Sequence, residues 1–140
     1  MLRREAREEI LKRLYGSEFV EDRGARYREQ PGEKDVGDQK DFIKEIYEGT
    51  LENREGIDEL ISEFTVGWKV GRLAFLDRNI LRMAIYEMLY YQETPAEVVM
   101  NEAIELAKEY GTENAPKFVN GILDRIWNEK SEEKSERKRT

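Results

Sequence analysis

The chain has 140 residues, of which 39% are hydrophobic and 39% charged, and its formal net charge is −7 at pH 7. It contains no cysteine and no histidine, which excludes a disulfide framework, a thiol nucleophile and most zinc sites. Three prolines and many good helix formers predict an all-α protein with strongly solvated helix faces.

Membrane and export signals are not recognisable in the sequence. No run approaches the length of a membrane span, and the N-terminus lacks the apolar core of a signal peptide. A cytoplasmic protein is therefore expected. Neither half of the chain has a basic excess, so nucleic-acid binding would have to come from a local patch and would be weak without a partner.

The first segment, residues 2–15, has an apolar residue at every fourth position, which predicts an amphipathic helix. Arg3, Arg4 and Arg7 stand at its N-terminus, where the helix dipole disfavours exposed cations by roughly 0.3–1 kcal/mol each. Two interpretations stay open at this point. The arginines could bind an anion, or they could pair with neighbouring glutamates on a solvated face.

A long polar connection follows at 16–37, with several glycines and one proline. Helical periodicity returns at 38–53 and again, in a shorter form, at 55–65. Three helices by residue 65 predict an N-terminal helical subdomain, 1–65.

The second half, 66–128, predicts a C-terminal helical subdomain. A hinge or short helix at 66–75 leads to a strongly apolar helix that opens at Asp77 and should lie at the centre of this half. Asp77 and Arg78 can be an ordinary helix start or a charged spot for a partner. The last segment, 129–140, has no apolar residue and predicts a disordered charged tail.

Two further helices complete the second half. One begins after Pro95 and ends near Gly111. The other opens with Lys117, Phe118 and Asn120, which offer a cation, a stacking ring and an amide for an unpaired nucleic-acid strand. The competing interpretation is that Phe118 belongs to the core.

Enzyme chemistry is not expected. The glycines fit no phosphate-binding loop, and Glu102, Glu105 and Glu109 on one helix face lack the histidines of a helical di-metal site. These carboxylates are interpreted as a solvated face, and no cofactor is predicted.

Four segments resemble the NusB family of small helical bacterial antitermination factors, in the family's order, over about residues 2–127. They are RREARE…LY at 3–15, DRNILRMAIYEM at 77–88, TPAEVVMNEAIELAKEYG at 94–111 and KFVNGILD at 117–124. Each segment alone is a common kind of amphipathic helix, but the four together, in this order, are specific to the family.

The resemblance implies two small three-helix bundles packed into one compact domain. It also implies binding of single-stranded boxA RNA together with the ribosomal protein NusE, and entry into the RNA polymerase antitermination complex with other Nus factors, in support of rRNA transcription. The family includes both monomers and homodimers. The alternative function is a helical adaptor that binds proteins without direct RNA contact.

The resemblance also assigns site residues. The RNA-binding residues it implies are Arg3, Arg4, Arg7, Lys117, Phe118 and Asn120. The residues that it implies for NusE binding are Tyr15, Asp77 and Arg78. Acidic residues among the arginines of the first helix suit dependence on NusE.

Overall fold

The computed structural model describes the backbone of residues 1–22, 37–65 and 70–139, and the side chains of 1–19, 37–65 and 70–130. Within these ranges all regular structure is helical, which confirms the all-α fold. No helix in them combines the length and apolarity that a bilayer crossing needs. The main helices are α1 Arg3–Asp22, α2 Lys40–Glu52, α3 Arg54–Phe64, α4 Phe75–Tyr86, α5 Ala96–Tyr110 and α6 Ala115–Arg139.

Short turns link these helices. A 3₁₀ turn, Gly37–Gln39, precedes α2, and another, Val70–Arg72, precedes α4. A π-helical turn, Glu87–Tyr91, extends α4 and ends at Gln92, which has a left-handed backbone conformation with φ of 58°. This turn reverses the chain into α5.

Helix α4 lies at the centre of the whole fold, because it packs against each of the other five main helices. Its residues from Asn79 to Tyr86 are all buried, as its apolar sequence predicts. The core around it is continuous and draws on helices from both sides of residue 65. The predicted boundary between subdomains 1–65 and 66–128 stays a prediction.

The first helix is longer than its sequence predicted. It runs through Gly16 to Asp22, into the segment predicted as a connection. Tertiary contacts explain the extension, because the buried Glu18 accepts hydrogen bonds from Asn79 and Arg82 on α4. The rest of that connection, 23–36, and residues 66–69 of the predicted hinge lie outside the described residues.

The charged C-terminal segment continues the last helix. The backbone of α6 is helical through Arg139, and disorder of the tail at 129–140 stays a prediction. The segment contains no glycine or proline and consists largely of glutamate, lysine and arginine, which are good helix formers. An uninterrupted helix therefore extends from the core-packed start of α6.

Helices α2 and α4 approach closely at a glycine. A Cβ atom at Gly49 would lie 2.1 Å from the Tyr86 ring, so any larger residue would collide with it. The Tyr86 hydroxyl donates to Glu45 at 2.8 Å, and burial together with this carboxylate raises the pKa of Tyr86 to about 12. The ring thus fills the space that the missing side chain leaves.

We predict that Gly49→Ala lowers the free energy of unfolding by about 1–3 kcal/mol, because overpacking forces the ring or the helices to shift. Equilibrium urea denaturation would measure the change. Gly56→Ala is the matched control, since its Cβ would meet only the Tyr90 hydroxyl at 3.9 Å. Equal stabilities for the two variants would contradict the close contact.

Candidate functional site

Arg7 is an internal residue rather than a free surface cation. Its side chain is 6% exposed, and its guanidinium donates two hydrogen bonds, of 3.0 and 2.6 Å, to Glu87, which is 2% exposed. Two buried charges of opposite sign in this bidentate geometry satisfy each other. This pair joins α1 to the π-helical turn after α4, and contact of Arg7 with RNA stays a prediction.

Arg4 is paired in a different setting. Its guanidinium donates two hydrogen bonds of 3.0 Å to Glu102 on α5, and the arginine side chain is 58% exposed. The hydrogen bond from Arg4 is the main cause that lowers the pKa of Glu102. Because exposed ion pairs are weak in water, Arg4 can exchange this carboxylate for a phosphate more readily than the buried Arg7 can.

Arg3 lies on an aromatic surface. Its guanidinium carbon is 3.9 Å from the centre of the Phe42 ring, which itself contacts Tyr91 edge to face at 5.7 Å. The first-turn arginines thus have partners on α2, on α5 and in the π-helical turn after α4. The sequence alone could not reveal these partners, because they lie far away along the chain.

Lys117, Phe118 and Asn120 lie at the start of α6, where Lys117 and Asn120 are exposed. Phe118 is half-buried and packs at the edge of the core, so part of its side chain stays accessible to solvent. One side of it lines an open cavity of about 410 Å³. The other residues lining this cavity are Arg72, Leu73, Ala74, Asp77, Thr112, Asn114 and Ala115.

Asp77 is buried and holds the turn before α6 in place. Its carboxylate accepts hydrogen bonds from the Thr112 amide at 3.1 Å and from the Thr112 hydroxyl at 2.7 Å. Both of its oxygens thus accept hydrogen bonds inside the protein, and contact of Asp77 with a partner stays a prediction. Its effect on Lys117 and Phe118 is positional.

Tyr15 belongs to an exposed aromatic patch, which we define as Tyr15, Phe19, Phe75 and Arg78. The three rings are 37–40% exposed. The centre of the Phe19 ring is 4.9 Å from that of Tyr15 and 5.4 Å from that of Phe75. The Arg78 guanidinium lies 4.3 Å from the centre of the Phe75 ring.

The aromatic patch rests on a buried polar network. Glu18 forms ion pairs with Arg78 and Arg82 and accepts a hydrogen bond from Asn79 at 2.7 Å. Arg82 also donates two hydrogen bonds, of 2.8 and 2.9 Å, to Asp58 on α3. This network joins α1, α3 and α4 and fixes the backbone beneath the rings.

The predicted RNA residues fall into two separate regions. Arg4 is bonded to Glu102 on α5. Lys117 lies in the first turn of α6, after the turn that begins at Gly111. Gly111, just after the end of α5, is nine positions beyond Glu102, which is about 13 Å along the helix. The start of α6 instead shares a cavity with Ala74 and Asp77 at the start of α4. Arg78 of the aromatic patch donates to the carbonyl of Gly71 at 3.3 Å, one residue before Arg72 on the rim of this cavity.

Comparison with known proteins agrees with this architecture. Residues 4–128 match the NusB family. The chain belongs to the NusB family. The transcription antitermination protein NusB of Thermodesulfovibrio yellowstonii is 39% identical over 138 residues, covering 90% of this chain and 91% of that protein.

Two solved structures extend the comparison. NusB of T. maritima superposes with a TM-score of 0.79 at 40% identity, covering 92% of each chain. A structure of the antitermination factors NusB and NusE in complex with double-stranded RNA superposes with a TM-score of 0.70 at 24% identity, covering 91% of this chain and 98% of that one. The second likeness concerns the NusB fold only.

We predict that Arg7→Ala lowers the free energy of unfolding by about 3–5 kcal/mol, because it leaves Glu87 buried and unpaired. The double variant Arg7→Met with Glu87→Leu should recover most of this loss. Thermal and urea denaturation would measure both. Arg4→Ala is the control and should stay close to the unsubstituted protein; an Arg7→Ala variant of equal stability would contradict the internal pairing.

Proposed function

We propose that this NusB-family protein binds single-stranded boxA RNA together with the ribosomal protein NusE, and that the pair joins the RNA polymerase elongation complex with other Nus factors to support rRNA transcription. The observation that carries the proposal is the position of the free groups at the start of α6. Lys117 and Asn120 are exposed there, and Phe118 faces a cavity beside an exposed aromatic patch.

The start of α6 suits an unpaired RNA strand. Lys117 supplies a cation for a phosphate, the accessible side of Phe118 supplies a ring for stacking, and the Asn120 amide can donate to and accept from a base edge. Arg72 on the cavity rim adds a second positive charge. Few cations are involved, so we expect weak binding by the protein alone.

Arg3 and Arg4 are assigned a smaller contribution. Glu105 and Glu109 line the groove beside Arg4, and their charges repel phosphates along the path from the arginines to α6. Arg4 is exposed and can leave Glu102 for a phosphate, and Arg3 already lies on an aromatic surface. We therefore place the main RNA contact at the start of α6 and a weaker one at the start of α1.

The aromatic patch is proposed as the NusE surface. Clustered aromatic rings with an arginine are the residue types that dominate protein–protein binding energies. Tyr15 keeps its predicted role, Arg78 keeps a role at the edge of the patch, and Phe19 and Phe75 are added. Asp77 acts indirectly, because it holds the turn that precedes the RNA residues.

A second function also has an observation in its favour. The aromatic patch would serve equally well in a protein adaptor that does not touch RNA. The two functions differ in their response to boxA RNA, since an adaptor would bind NusE with full affinity and would not distinguish boxA from a scrambled strand.

We predict that Lys117→Ala weakens binding of a fluorescent boxA strand and reduces the salt slope by about 0.7, the value for one phosphate contact on a single strand. Fluorescence anisotropy at several salt concentrations would measure both, with and without NusE. A scrambled strand and a boxA duplex serve as RNA controls.

Lys108→Ala is the matched protein control for this assay. Lys108 is also an exposed lysine, but it lies on α5 and pairs with Glu105. Its loss should leave the salt slope unchanged. If the unsubstituted protein with NusE binds boxA no better than the scrambled strand, the adaptor function replaces the proposed one.

We predict that Tyr15→Ala or Phe75→Ala weakens NusE binding at least tenfold, because each removes an aromatic anchor from the patch. Isothermal titration calorimetry would measure the affinity, and a thermal melt would show that each variant is folded. Val98→Ala is the control, since Val98 is a similarly exposed apolar residue on α5. Unchanged NusE affinity in both aromatic variants would remove the patch from the proposal.

A further inference from the structure

Gly121 lies in the interior of α6 on an exposed face of the helix. A Cβ atom at this position would meet no described atom within 4 Å. Glycine weakens a helix interior relative to alanine, because it has more backbone freedom to lose on folding. Among the described residues, glycine therefore brings no gain in packing at this position, although it weakens the helix.

Gly49 and Gly121 differ in the space around them. At Gly49 the Tyr86 ring occupies the space of the missing side chain, so the fold itself requires glycine. At Gly121 the corresponding space is open. A glycine that no described neighbour requires suggests that another molecule approaches the helix backbone closely here.

The neighbours of Gly121 indicate what approaches. Lys117, Asn120 and Asp124 are exposed on the same side of α6, at helical spacings of four, one and three residues. Within the described part of the chain none of the three forms a hydrogen bond or an ion pair. A free lysine and a free amide beside open helix backbone suit a phosphate and a sugar more closely than an apolar protein surface.

We propose that the sugar-phosphate backbone of the bound RNA crosses α6 at Gly121, in contact with the helix backbone that the missing side chain exposes. This inference rests on the proposed function and adds a residue to its RNA surface. Lys117 neutralises a phosphate on the N-terminal side of the crossing, and Asn120 donates a hydrogen bond beside it. Asp124 repels phosphate, so the strand leaves the helix before the next turn.

The test uses two neutral substitutions of increasing size in the full chain, Gly121→Ala and Gly121→Gln. In the presence of NusE, we expect boxA affinity to fall about threefold for alanine and at least tenfold for glutamine, because each added atom keeps the strand further from the helix. The midpoint of thermal unfolding should rise by roughly 2–5 °C for alanine. The salt slope should not change, because no charge is removed.

Gly56→Ala is the matched control, because Gly56 is another helix glycine with ordinary space around it. It should leave boxA affinity unchanged. If the unsubstituted protein binds boxA and the Gly121 variants bind it equally well, the crossing is overturned while the proposed function stands. If the variants lose NusE affinity rather than RNA affinity, a protein occupies this face and the crossing is again overturned. If the unsubstituted protein does not bind boxA, the proposed function fails, and the crossing that rests on it fails with it.

Discussion

A helix that packs against five others must find partners inside the protein for its buried polar side chains, and most of those on α4 and in the turn that follows it do so. Asp77 bonds Thr112, Asn79 and Arg82 bond Glu18, and Glu87 in the following turn bonds Arg7. A buried charge without a partner would cost several kcal/mol, about as much as a small domain has to spare. These bonds therefore select one arrangement of helices, whereas apolar contacts alone would tolerate several.

The same constraint decides which cations remain for binding. Arg7 and Arg82 form ion pairs inside the protein. Arg78 pairs with Glu18 and also contacts the Phe75 ring. In a protein with a net charge of −7, the free cations left at the start of α6 are few. Long-range attraction of RNA is weak under these conditions, and short-range contacts must supply the selectivity. This distribution of charge supports the proposed reliance on a protein partner.

Periodicity predicted the helices well, because the apolar spacing that defines a helix also defines its buried face. The central position of α4 followed from its apolar sequence for the same reason. The exposed positions of Lys117 and Asn120 were likewise predictable. The burial of Arg7 was not, since helical spacing gives the face of a residue and not what lies opposite, and Glu87 is 80 positions away.

The sequence predicted only part of the aromatic patch, because a glycine obscured the continuation of the first helix. Gly16 suggested that the first helix ended at Tyr15, and this hid the helical spacing of four between Tyr15 and Phe19. The helix continues because Glu18 is held by the interior network, a tertiary effect that outweighs the low helix propensity of glycine. Phe75 was assigned to a hinge, although it is the first residue of α4.

The position of the two proposed surfaces bears on why a partner would assist RNA binding. Phe75 in the aromatic patch and Asp77 beneath the RNA residues are two positions apart at the start of α4, and Asp77 bonds directly to the turn that leads into α6. A protein held on the patch would lie beside a strand held on α6. It could then add its own contacts to the same RNA, and its high effective concentration there would raise the joint affinity without any change in the fold. Helical rigidity is sufficient for this effect, because α4 packs against α6 and Asp77 bonds the turn that precedes it.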